Sequence, residues 1–122
     1  MSLLKVAFPS TVEGLTGELV PHFGHTPAFT ILEYDEESKE VSNVEVLQNA
    51  PHQQGGCMQP VMFLKNAGVN SVVLGGIGQR PLMGFLQVGV EPYAGIQGTV
   101  KENFEAFVAE KLQKMAKASC NH

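Results

Sequence analysis

Hydrophobic periodicity changes part-way along this 122-residue chain, from strand-like runs to an alternation of strand and helix. That switch constrains the fold more than any other feature, because the two periods bury different faces and cannot be exchanged. Leu4 to Phe8 is a short apolar run stopped by Pro9, as expected of a buried first strand. Ala28 to Tyr34 is rich in β-branched and aromatic residues and reads as a second strand. After the turn-forming cluster Asp35-Glu36-Glu37-Ser38-Lys39, Glu40 to Leu47 returns as a third, antiparallel to the second.

Helical spacing begins after Cys57. From Met58 to Ala67 apolar residues fall at Val61, Leu64 and Ala67, with Gly68 placed to cap the helix. Ser71 to Leu74 is a continuous apolar strand. Pro81 suits the first turn of a second helix, which Gly89 closes, and Val90 to Ala94 is a fifth strand. Thr99 and Glu102 form a capping box. Behind it Val100, Phe104, Phe107, Val108, Leu112 and Met115 define one apolar helical face. Lys111, Lys114 and Lys117 are expected at the end of that helix, complementing its dipole.

The order is therefore β-β-β-α-β-α-β-α, an α/β domain. Strand–helix–strand units require parallel pairing and right-handed crossovers, giving a mixed five-stranded sheet with helices packed on it. No repeat or low-complexity linker interrupts residues 1–122, so one domain is expected. With the first strand central, a ligand would lie beyond the strands' carboxyl ends, between the loops after Pro9 and after Leu74.

Composition narrows the function classes. Net charge is −4, with no basic cluster before the last helix, so nucleic acid is not an expected partner. No apolar run reaches the ~20 residues that span a bilayer, and no signal-peptide pattern opens the chain. Two distant cysteines, Cys57 and Cys120, fit a cytoplasmic protein better than a disulfide scaffold.

Three segments carry potential chemistry. The first holds His22-Phe23-Gly24-His25; the second runs from Asn49 through Pro51, His52, Gly55 and Gly56 to Cys57; the third is Gly75-Gly76-Ile77-Gly78-Gln79-Arg80. The third matches neither the dinucleotide nor the Walker fingerprint. Its bare N–H groups beside a helix N-terminus would suit an anion, with Arg80 adding charge, but the same glycines also make a plain tight turn. His22, His25 and His52 match no zinc spacing, and taken singly each reads more readily as a hydrogen-bonding or surface residue than as a ligand. Cys57 is either a thiolate favoured by a helix N-terminus or a small buried apolar residue. A resolving cysteine and a Ser/His/acid triad are both missing from the pattern, so no enzymatic activity is expected.

Taken together, His22-Phe23-Gly24-His25-Thr26-Pro27-Ala28-Phe29, then Pro51-His52 with Gly55-Gly56, then Gly75-Gly76-Ile77-Gly78 resemble the dinitrogenase iron–molybdenum cofactor-binding family. That family includes NifX-like carriers, the C-terminal domain of NifB and the orange protein of sulfate reducers. The resemblance implies a three-layer ribonuclease H-like domain that carries an iron–sulfur or molybdenum-containing sulfide cluster, or its thiometallate precursor, between donor and acceptor proteins. It implies a pocket around His22, Gly24, His52 and the Gly75 to Gly78 turn; joined to the candidates read from the residues themselves, the expected site is His22, Phe23, Gly24, His25, His52, Gly55, Gly56, Cys57, Gly75, Gly76, Gly78 and Arg80, with His22, His52 and Cys57 as metal contacts. A regulatory module of the same fold that binds no cluster is the alternative. The nucleases of that fold hold two metals with clustered carboxylates, whereas the first strand and Ser71 to Leu74 contain no Asp or Glu.

Overall fold

The structure, a computed structural model, describes residues 3–11, 14–20, 26–48, 58–75 and 79–115. Eight elements follow one another: β1 (Leu3–Ser10), β2 (Ala28–Asp35), β3 (Val41–Gln48), α1 (Met58–Asn66), β4 (Ser71–Leu74), α2 (Gln79–Val88), β5 (Glu91–Ala94) and α3 (Val100–Val108). A 3-10 turn, Gly14–Thr16, lies between β1 and β2. The strands form one sheet in the order β3-β2-β1-β4-β5. The first three are joined antiparallel, while β1–β4 and β4–β5 are parallel. A mixed five-stranded sheet with three helices is the α/β architecture expected.

β1 is central and its alternation serves both faces of the sheet. Val6 and Phe8 join Leu32, Tyr34, Val73, Val100 and Phe104 in the core beneath α3. Ala7 points the other way, into a core with Phe29, Ile31, Val61, Leu64, Val72, Leu74, Leu82 and Phe85 beneath α1 and α2. The near-continuous apolar run in β4 has the same cause, since strands covered on both faces cannot alternate with polar residues.

The end of β1 differs from expectation for an identifiable reason. Pro9 does not stop β1: it pairs opposite Phe29. It lies beyond the last β1–β4 pair, Ala7 with Val72, so its missing N–H breaks no bond on that side. α1 and α2 end where glycine was expected to end them, with Gly68 and Gly89 at φ 85° and 83°. α3 begins with the capping box: Thr99 Oγ1 accepts from the Glu102 N–H at 3.1 Å, and the Thr99 N–H donates to Glu102 Oε1 at 2.8 Å.

The expected continuation of α3 through Leu112 and Met115 is incorrect. The helix stops at Val108, and Glu110 takes φ 60°. The chain then turns along β5, where Lys114 bridges Tyr93 and the Met115 N–H donates to Pro92 O at 2.9 Å. Leu112 packs on the α3-side core, yet Met115 is buried in the opposite one. Lys114 accordingly does not cap a helix; it pairs with Glu91 at 3.0 Å. On the first two helices Phe85 is fully buried, whereas Met62, Phe63 and Met83 are exposed.

Two predictions test this packing. Phe85→Ala should lower unfolding free energy by about 3–5 kcal/mol, read from urea midpoints at unchanged slope. Burial, reinforced by the neighbouring Tyr93, Glu36 and Glu91, pushes the Tyr34 phenol from 10.0 up to about 12. The unfolded phenol ionises first, so this contribution to stability is complete below pH 10 and lost as pH rises through 12. Denaturation midpoints should therefore fall across that window in the wild type and less so in Tyr34→Phe.

Candidate functional site

The strand pairing decides which loops meet. Ser10 stands opposite Ala28, and Ala28 opposite Gln48, so β1 ends, β2 begins and β3 ends on one edge of the sheet. Leu74 and Ala94, paired at the carboxyl ends of β4 and β5, reach the same edge because both strands run parallel to β1. The C-terminal end of α1 is held at the far edge, where Lys5 Nζ donates to Ala67 O at 3.2 Å, so its N-terminus points back toward the loops. The stretches after β1, after β3 and after β4 are those that contain the sequence-derived candidates.

Most of those candidates lie outside the described residues: His22, Phe23, Gly24, His25, His52, Gly55, Gly56, Cys57, Gly76 and Gly78. Gly75 is described and exposed, directly after β4. Arg80 is in the first turn of α2. Among the described residues no three His, Cys, Asp or Glu side chains come together as a metal site.

What is described is the frame that holds these stretches. Thr26, buried, donates to Ala28 O at 2.7 Å and to Ser10 O at 3.3 Å. Beneath it the buried hydroxyls of Ser10 and Thr30 are 2.7 Å apart. These bonds clamp the two ends of the β1–β2 connection, so the residues between them start and finish at a fixed point. Farther along, the Val20 N–H donates to Pro9 O at 2.8 Å, and the Leu19 and Val100 N–H groups bond Gly98 O and Gly17 O. The β1–β2 connection is thereby stitched to the start of α3.

A cavity of about 440 Å³ opens at this edge between Glu18, Leu19, Gly75 and the turn formed by Gly95, Ile96, Gln97 and Gly98. Its far wall is rigid. The buried side chain of Asn103 accepts from the Ile96 N–H at 2.8 Å and donates to Ile96 O and Thr99 O at 2.9 Å. Gly95 is held by its own N–H to Leu74 O at 2.7 Å. A β-carbon there would stand 2.6 Å from Leu19 Cδ2, 2.7 Å from Asn103 Oδ1 and 2.9 Å from Val73 Cγ1, so only glycine fits. The described wall offers backbone groups, the Gln97 amide and one carboxylate, Glu18, and no cation.

The loop after β5 was not among the sequence candidates, although it obeys the rule that selected the loops after β1 and β4. Two glycines, Gly95 and Gly98, immediately after a strand at the carboxyl edge were the available signal.

The model of the dinitrogenase iron–molybdenum cofactor family matches residues 4–110. The chain belongs to this family. It is similar to the Methanocaldococcus jannaschii protein MJ0580, 28% identical over 116 residues and 93% of each chain. Among solved structures it is similar to a Thermotoga protein provisionally described as NifB, with TM-score 0.79 and 28% identity over 98% of this chain and 99% of that one. The apo orange protein of Desulfovibrio gigas shares the fold at TM-score 0.84 and 17% identity, with 98% of each chain covered. Among the described residues no helix is long and apolar enough to cross a membrane.

Gly95→Ala tests the rigidity of the wall. It should reduce stability by about 1–3 kcal/mol through overpacking against Val73 and Asn103, measured by thermal or urea unfolding.

Proposed function

We propose that this protein is a non-catalytic carrier of an anionic metal–sulfur cluster, of the iron–sulfur or molybdenum-containing type, or of its thiometallate precursor. The observation that carries the reading is the common anchorage of the three candidate stretches. All leave the sheet at the edge where Ser10, Gln48 and Leu74 end, in a chain of the iron–molybdenum cofactor family. On this reading residues 1–122 form one cytoplasmic domain of the three-layer ribonuclease H-like type, which the strand order β3-β2-β1-β4-β5 supports.

The donor set suits such a cargo. His22, His52 and Cys57 are the soft or borderline ligands that bind iron, molybdenum or copper sulfides. Glycine backbone at Gly24, Gly55, Gly56, Gly75, Gly76 and Gly78 offers N–H groups to bridging sulfides, and Phe23, His25 and Arg80 complete the surround. Since the described cavity wall supplies a carboxylate and no cation, positive charge for an anionic cargo is assigned to the imidazoles and Arg80. The absence of any carboxylate from β1 and β4 leaves no two-metal phosphodiesterase arrangement on these strands. The carrier's work is retention and hand-over to donor and acceptor proteins, without bond chemistry of its own.

The test is anaerobic purification followed by reconstitution with tetrathiomolybdate or an iron–sulfur cluster, read by metal and acid-labile sulfide analysis with visible absorption. Stoichiometric, coloured protein is expected from the wild type, and loss of retention from His52→Ala combined with Cys57→Ala. A colourless wild type after reconstitution, or a fully retaining double variant, would refute the assignment.

A further inference from the structure

The two edges of the sheet are finished differently. At β5 the Ala94 N–H donates to Gln113 O at 2.8 Å and Lys114 bridges Tyr93, so the chain's own C-terminal segment occupies that edge. β3 is the opposite edge, and among the described residues nothing pairs with its outer side. Alternate residues of an edge strand turn their N–H and C=O groups away from the sheet, so β3 presents a row of donors and acceptors without sheet partners.

Edges are ordinarily blunted by brevity, proline or lysine. β3 has eight residues and contains no proline, glycine or lysine. Its one irregularity lies between Glu33 and Tyr34, which leaves Asn43 to Gln48 in unbroken pairing with Glu33 to Ala28. Val41, Val44 and Val46 stand opposite Tyr34, Leu32 and Thr30, and residues directly opposite one another share a face. The three valines therefore continue the α3 side of the sheet outward. The buried cluster under α3 stops at Leu32 and Tyr34, and the valines stay 36–40% exposed. Glu45 is the only charge on the strand; it lies on the other face, opposite Ile31.

Charge selects the occupant. The turn before β3 holds Asp35, Glu36, Glu37 and Glu40 against Lys39. A parallel strand of the same sequence would set two such turns side by side. An antiparallel one puts them at opposite ends of the seam, roughly 25 Å apart. A two-fold axis at Val44 or at Val46 then opposes valine to valine, and Glu45 to the uncharged Asn43 or Leu47 of the second copy. The strand is thus complementary to itself, with no like charges opposed along the seam. We propose that β3 pairs antiparallel with β3 of a second copy of this chain, closing a two-fold dimer in which two five-stranded sheets become one. Because the paired strands run in opposite directions, the two loop edges lie at opposite ends of the dimer.

Such a seam buries less than the roughly 800 Å² per partner of a standard interface, so dissociation is expected at about 10–100 μM. Sedimentation equilibrium of the metal-free full chain, from about 10 μM to about 1 mM, should show the average mass rising from one chain toward two and no further. Val44→Lys, at an exposed position, should weaken association about tenfold by bringing two ammonium groups to the seam, with circular dichroism confirming the fold. Hydrogen exchange of the wild type needs no variant: amides within residues 43–48 should slow as concentration rises, while those of α1 and α2 do not change. A chain that stays monomeric to the highest concentration, leaving the edge to a foreign strand, overturns the proposal. So does growth beyond the dimer, protection on α1 and α2 in place of β3, or undiminished association of folded Val44→Lys. Thiometallate retention by Val44→Lys should equal that of the wild type, so failure here and failure of the carrier reading are separate results.

Discussion

The mixed pairing of β1 is the constraint on which the rest depends. With β2 antiparallel on one side and β4 parallel on the other, the carboxyl ends of β1, β3, β4 and β5 are obliged to share an edge. Both faces of β1 are covered, by Ala7 toward α1 and α2 and by Val6 and Phe8 toward α3. A one-residue slip would exchange these sets and place Phe8 where Ala7 fits. Register and burial thus enforce each other, and the loops inherit a rigid base.

That base divides the molecule into two ends with different chemistry. At the loop edge, polar backbone and buried hydroxyls predominate: Ser10, Thr26 and Thr30 tie the β1–β2 connection, and Asn103 ties the turn after β5. At the other end, aromatic rings and exposed charges surround a cavity created by the early stop of α3. The two ends are joined by the sheet and by α3, whose Asn103 holds the turn after β5 and whose Phe104 and Phe107 rings meet Tyr34.

The early stop of α3 also protects the sheet. β5 is a terminal strand, and the bridge between Tyr93 and Lys114 covers its open edge with the chain's own C-terminal segment. Met115 then crosses to the α1–α2 side and is buried there. Helix continuation would have left both the edge and that part of the core uncovered. The enclosure of a buried methionine and several backbone bonds outweighs the strain of Glu110 in the left-handed region.

Local signals in the sequence determined the element types and most of their ends. Strand runs, the glycines at 68 and 89, and the Thr99–Glu102 box act within a few residues and read correctly without tertiary context. The same range limits explain the errors. Nothing local distinguishes Leu112 and Met115 from a continuing helical face, because the reason for stopping is β5, some 20 residues earlier in the chain. Only the folded sheet decided that the stretches after β1, β3, β4 and β5 share one edge, that Gly95 faces Asn103 and Val73, and that Tyr34 and Tyr93 meet around Phe107. Those relations are set by strand neighbours and by faces buried across the sheet, long-range choices that no periodicity encodes.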